Sequence, residues 1–208
     1  MTQSEYRTIA EPAEALYKEK GSRFLAFAYP VSDEEDIRQR LAELRKHYYD
    51  ARHHCYAWML GPDKSRFRAN DDGEPNHSAG DPILGQIKSK DITNVLIVVV
   101  RYFGGTKLGV GGLIAAYRTA AEEALKNAQI IQKKVMCRVE IRFPYASTTD
   151  AMRLVKEFDM QIMQQQFDET CLLFCELALR NQPAFVEKIK LLAQLQSSIQ
   201  AKVDGETI

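Results

Sequence analysis

Apolar residues along the chain switch repeatedly between strand-like and helical spacing. From Val95 the chain is apolar and β-branched through Val100 and runs on to Tyr102, which predicts a strand covered on both faces. That strand empties through Arg101-Tyr102-Phe103 into the segment 104–112, which holds five of the eleven glycines. A helix is predicted from Gly112 to Ala128, with Leu113, Tyr117, Ala121, Ala124 and Leu125 on one side. Upstream, Arg23 to Val31 reads as a strand. The run Ser32-Asp33-Glu34-Glu35 reads as a capping box, in which the Ser32 hydroxyl and the Glu35 carboxylate each satisfy an amide at a helix start. Ile37, Leu41, Leu44 and Tyr48 then recur at helical spacing. Next, His54, Tyr56, Trp58 and Leu60 alternate with Cys55, Ala57 and Met59 in a second strand bounded by Gly61-Pro62-Asp63. A short strand over Arg66 to Ala69, an irregular loop over Asn70 to Asp81 and a short helix opened by Pro82 complete this half.

After residues 129–134 the pattern restarts as a second complete set. Val135 to Phe143, Met160 to Phe167, Thr170 to Leu179 and Ser197 to Val203 read as strands. Helices are expected over Ser147 to Phe158 and from Pro183 onwards. That order is βαββαβ, the ferredoxin-like arrangement. The expectation is a two-domain α+β protein, with an N-terminal domain over 1–132 and a ferredoxin-like domain over 133–208.

Composition narrows the function classes. The 208 residues are 45% hydrophobic and 27% charged, ordinary for a folded domain pair. The N-terminal segment lacks the apolar core of a signal peptide, and the run Val95 to Val100 is far too short to span a bilayer, so a cytoplasmic location without a membrane partner is expected. The four cysteines form no C-x-x-C pair and sit in apolar alternating segments, as buried free thiols do. Net charge is zero, so any nucleic-acid binding must come from a local patch, and no DNA partner is expected.

Two stretches carry candidate chemistry. In the first, the backbone amides of Gly104, Gly105, Gly109, Gly111 and Gly112 and the start of the following helix can face an anion. Arg52, Arg101 and Lys107 supply full charge nearby. The spacing matches neither a P-loop nor a dinucleotide fingerprint, and tight strand-to-helix packing is the competing explanation of the glycines. Arg101-Tyr102-Phe103 suits RNA stacking or simple packing. The second stretch joins His53 and His54 to Asp71, Asp72 and Glu74, a set able to hold a divalent metal or to form solvated turns. Adjacent histidines on a strand face opposite ways, so at most one joins a given site. No resident cofactor is expected, and no serine or cysteine nucleophile is signalled.

Asp50-Ala51-Arg52-His53-His54-Cys55, Asp71-Asp72-Gly73-Glu74-Pro75, Ala79-Gly80 with Pro82, and Val99-Val100-Arg101-Tyr102-Phe103-Gly104-Gly105 with Leu108-Gly109 resemble, in order, the motifs of the IMPACT family, in its bacterial branch. The resemblance covers about residues 20 to 128, and the second unit is similar to the small C-terminal domain of bacterial members. It implies a first domain similar to domain IV of elongation factor G, a βαβ layer also used by ribosomal proteins (ribosomal protein domain 2-like), and a second similar to domain V of that factor. Eukaryotic relatives act in translational control. The expected function is therefore translation-associated regulation, with a ribosome or structured RNA as partner. The alternative is a metal-assisted enzyme acting on a phosphorylated or nucleotide substrate. One departure is His77-Ser78 ahead of Ala79-Gly80, where relatives tend to carry Gly-Thr; it places an imidazole beside the acidic loop.

Overall fold

The computed structural model describes residues 4–207. These fall into two compact units, Tyr6–Lys133 and a second that begins at Lys134 and also takes in Ser4 and Glu5. Among the described residues no helix is long and apolar enough to cross a membrane.

In the first unit the elements run β1 (Glu5–Ile9), β2 (Ala13–Glu19), β3 (Ser22–Pro30), α1 (Glu34–His47), β4 (His53–Leu60), β5 (Arg66–Asn70), α2 (Gly80–Ser89), β6 (Val95–Tyr102), α3 (Gly109–Asn127) and β7 (Ile130–Lys134). Five strands form one sheet in the order β2-β3-β6-β4-β5, every neighbouring pair antiparallel. Because β3 and β4 both run against β6, they are parallel to each other. The crossover between them is α1, so β3-α1-β4 is the expected βαβ layer with β6 inserted at its centre.

Period-two alternation divides the sheet between two cores. Phe24, Ala26, Cys55, Ala57, Met59, Ile97 and Val99 pack on α2 and α3. Phe27, Tyr56, Trp58, Leu60, Leu96, Val98 and Val100 pack on Ile37 and Leu44 of α1. All of Val95–Val100 is fully buried, which is why this segment reads as a continuous apolar run. The small residues Ala116, Ala120, Ala121 and Ala124 put α3 flat on the sheet.

The second unit comprises β8 (Met136–Pro144), α4 (Thr148–Glu157), β9 (Gln161–Gln166), β10 (Thr170–Ala178), α5 (Gln182–Gln194), β11 (Gln200–Val203) and β12 (Glu206–Thr207). Its antiparallel sheet has the order β12-β11-β8-β10-β9. Without the short β12 this is a ferredoxin-like sheet. Cys137, Val139, Ile141 and Phe143 of β8 and Cys171, Leu173, Cys175 and Leu177 of β10 bury one face with α4 and α5, while Arg138, Arg142 and Phe174 lie on the other side, exposed.

Several boundaries differ from the expected ones. The N-cap of α1 is Asp33, not Ser32: its carboxylate accepts from the Asp36 amide at 2.9 Å, and Glu35 pairs with Arg38 instead of closing a capping box. β1, β2 and β7 lie in segments that showed no strand pattern. β2 is an edge strand with only half-buried inward positions, such as Ala15 and Tyr17, so its apolar signal is weak. α3 starts at Gly109, three residues before the expected Gly112.

Gly104 has a structural duty. An added Cβ there would stand 1.9 Å from the Gly21 carbonyl carbon and 2.1 Å from the Ser22 nitrogen, and Gly21 itself needs φ +80°. The turn before β3 and the exit from β6 are therefore in backbone contact, with the Gly104 amide donating to Ser22 Oγ at 3.1 Å. Gly104→Ala is expected to cost about 3 kcal/mol through overpacking against rigid backbone. Gly111→Ala, where a Cβ meets nothing within 4 Å, is expected to leave the melting temperature unchanged or raise it. Thermal unfolding of both variants checks the contrast.

Candidate functional site

Three elements of the first unit meet at the exit of β6. The acidic loop between β5 and α2 reaches under the strand end, and α3 covers it. At the centre Glu74, with a side chain 4% exposed, accepts from Arg101 Nη1 at 2.6 Å and from the Tyr117 hydroxyl at 2.7 Å, both on Oε1. Arg101 is 7% exposed, so the ion pair is desolvated on both sides. Cys55 Sγ lies 3.0 Å from the Asp71 carbonyl oxygen and 3.3 Å from the Tyr117 hydroxyl. Burial pushes the Cys55 thiol well above its ordinary range. Burial also raises Tyr117, reinforced by Cys55 and Glu74, so both groups stay protonated at neutral pH.

The other two acids of the loop hold backbone. Asp71 Oδ1 accepts from the amides of Ala79 and Gly80 at 2.9 and 2.8 Å, and Oδ2 accepts from the His77 amide at 2.9 Å. Burial acts to raise the Asp71 pKa, but the amides of Gly80, His77 and Ala79 outweigh it and hold the carboxyl below the usual range. Asp71 thereby caps α2 across the loop, which is why that helix begins at Gly80 ahead of Pro82. Asp72, at φ +41°, accepts from the His54 amide at 2.7 Å and from Arg45 Nη2 at 3.1 Å.

The two histidines part as the strand geometry requires. His54 is buried; burial lowers its pKa, partly offset by Asp72. His53 Nδ1 lies 2.9 Å from the Asp72 carbonyl oxygen, which can only accept, so a neutral His53 carries its proton on Nδ1.

His53 also lines a cleft of about 490 Å³, together with Asp50, Arg52, Arg101, Tyr102, Phe103 and Lys107. The structure thus brings Arg52, Arg101, Lys107 and His53 to one concavity and leaves Asp71, Asp72, Glu74 and His54 out of its lining. Arg101 is not a free cation there, because its charge is spent on Glu74. Arg52 and Lys107 are exposed and make no ion pair among the described residues. Lys107 stands two residues ahead of α3, whose first turn has no acidic residue and no side-chain cap. Gly105 and Gly109 adopt positive φ (+88° and +69°), and the space around Gly105, Gly109 and Gly111 is open. A Cβ added at Gly112 would stand 3.0 Å from Leu108 Cβ, so this glycine keeps the turn tight rather than open. Among the described residues no group of three His, Cys, Asp or Glu is placed to hold a metal ion.

Tyr117 was not singled out as a site residue by its sequence. A tyrosine on an otherwise small, apolar helix face was the available signal, since a buried phenol needs an acceptor. Removing one partner of the buried pair leaves the other charged and unpaired, so Glu74→Ala or Arg101→Ala is expected to cost about 3–5 kcal/mol. The double variant Glu74→Met/Arg101→Leu is expected to cost clearly less than the sum of the two single losses, as read by urea unfolding.

The Impact N-terminal domain family model matches residues 20–125. The chain is 37% identical to IMPACT family member YvyE of Bacillus subtilis over 131 residues, covering 63% of this chain and 60% of that protein. It is 31% identical to IMPACT family member YigZ of Escherichia coli over 182 residues, covering 86% and 89%. A solved structure described as a hypothetical protein superposes with a TM-score of 0.73 at 30% identity, over 95% of this chain and 96% of that one. With the family model matched over the cleft and over β3, β4, β5 and β6 of the sheet, and a relative at 31% identity covering 86% of the chain, the chain belongs to the IMPACT family.

Proposed function

We propose that this protein is a translation-associated regulator that binds the ribosome or another structured RNA through the cleft of its first unit. The observation that carries this reading is the pairing of two exposed, uncommitted cations, Arg52 and Lys107, with the uncapped start of the 19-residue helix α3 beside one concavity. Side-chain cations and free helix-start amides are the groups that engage phosphodiester oxygens. In a chain of zero net charge this local patch supplies the attraction. Family membership adds the wider context of translational control implied by the eukaryotic relatives.

A metal-assisted enzyme finds less support. Asp71 is spent on the amides that open α2, Asp72 on His54 and Arg45, and Glu74 on Arg101 and Tyr117, so the acids do not converge on an ion.

The test is co-sedimentation with ribosomes across a salt series, comparing the native protein with Arg52→Ala/Lys107→Ala. Both positions are exposed, so the variant is expected to melt like the native protein. Pelleting is expected to fall steeply between about 50 and 200 mM salt, and the variant is expected to bind more weakly with a salt slope smaller by about two. Salt-insensitive pelleting, or none at low salt, would remove this reading.

A further inference from the structure

The cleft contains more than a phosphate cradle requires. Phe103 is 57% exposed at its rim, a large apolar ring left in water at the end of a strand whose preceding residues are almost all buried. The ring is also backed: the Arg101 guanidinium carbon lies 5.7 Å from its centroid, and Arg101 is held by the buried pair with Glu74. A planar cation fixed against an aromatic ring makes a pre-organised platform, with little rotamer entropy left to lose on binding. Next to it, Tyr102 carries Arg23 over its ring at 4.9 Å and donates its hydroxyl to Asp50 Oδ1 at 2.7 Å, which sets a carboxylate in the cleft wall. A site for bare phosphate has no use for a carboxylate, which repels the anion. A ligand with an anionic end, a flat ring and N–H donors uses all three groups.

We infer that the cleft takes an unpaired ribonucleotide, from a loop, bulge or single-stranded segment, with its base stacked on Phe103 and the neighbouring phosphates on Arg52 and Lys107; this rests on the RNA-binding reading above. A continuous A-form duplex keeps its bases stacked inside and offers the cleft only its backbone and groove edges, so Phe103 would gain no partner from it. An unstacked base supplies a second apolar face, and stacking accepts any base because each has a π face. The concavity of about 490 Å³ is of a size that accepts a small planar ligand. The Asp50 carboxylate faces the same space and accepts base N–H groups, so bases with a donor edge are favoured over those without one.

Fluorescence anisotropy with a short labelled single-stranded RNA, and with a blunt duplex of the same sequence, tests this on the full chain. Native protein is expected to prefer the single strand. Phe103→Leu, which keeps an apolar side chain but removes the ring, is expected to weaken single-strand binding about tenfold with an unchanged salt slope, and Phe103→Tyr to restore it to within about twofold. Because Phe103 is exposed, the melting temperature of both variants is expected to match the native value. Equal affinity for the duplex, or native-like single-strand binding by Phe103→Leu, overturns the stacking inference while leaving salt-dependent RNA binding in place. Failure of the native protein to bind either RNA at low salt overturns the stacking inference, and together with absent ribosome pelleting it overturns the RNA-binding reading as well.

Discussion

A carboxylate taken out of water must be met by donors, and Glu74 is met by two from elements far apart in sequence. Arg101 comes from the end of the central strand β6 and Tyr117 from the face of α3 that lies on the sheet. Neither donor would tolerate its position alone: an unpaired guanidinium or phenol at that depth carries its own desolvation cost. Glu74 therefore ties the acidic loop, the strand exit and the covering helix into one unit. The cleft is a consequence of that knot, because the strand exit it fixes delivers Arg101, Tyr102 and Phe103 to the lining in succession. The Arg101 guanidinium, paired with Glu74, sits between the rings of Phe24 inside and Phe103 at the rim.

The acidic loop is a latch made of hydrogen bonds. Asp71 holds the amides that start α2, Asp72 holds the His54 amide and Arg45, and the Asp72 carbonyl fixes His53. Backbone amides left without partners beside a core are costly, and short carboxylates are suited to meet them in loops too irregular to pair with themselves. The same three acids that look like a ligand set in the sequence are thus turned in three directions. The glycine segment divides similarly. Gly104 is consumed by contact with Gly21, whereas Gly105, Gly109 and Gly111 leave the start of α3 open beside Lys107. Tight backbone packing and open backbone therefore share one loop, apportioned residue by residue.

Periodicity made the order of the second unit and the central strand of the first legible, while the βαβ layer of the first was expected from the family resemblance. The ferredoxin-like order of the second unit was written in the alternation of Cys137, Val139, Ile141 and Phe143 and of their partners on β10. The burial of β6 on both faces was written in its unbroken apolar run. Edge elements were less visible because a strand at a sheet margin buries only part of one face. β2 accordingly carries charge at Glu14, Lys18 and Glu19 and shows little apolar signal. The start of α1 is displaced by one residue because Ser32 and Asp33 are both good caps, and only the folded loop decides which of them reaches the Asp36 amide.

The sequence by itself determined the two-unit α+β architecture, the central strand, the divergence of His53 from His54 and the ordered motifs of the IMPACT family, because hydrophobic spacing, side-chain alternation and local motifs act over a few residues. Tertiary structure decided which charges are spent and which are free. Arg101 and Lys107 look alike six positions apart, yet one is buried against Glu74, 27 residues away, and the other stands exposed in the cleft. That difference depends on desolvation and on partners brought together only when the sheet, the loop and α3 close on one another, and no local pattern encodes it.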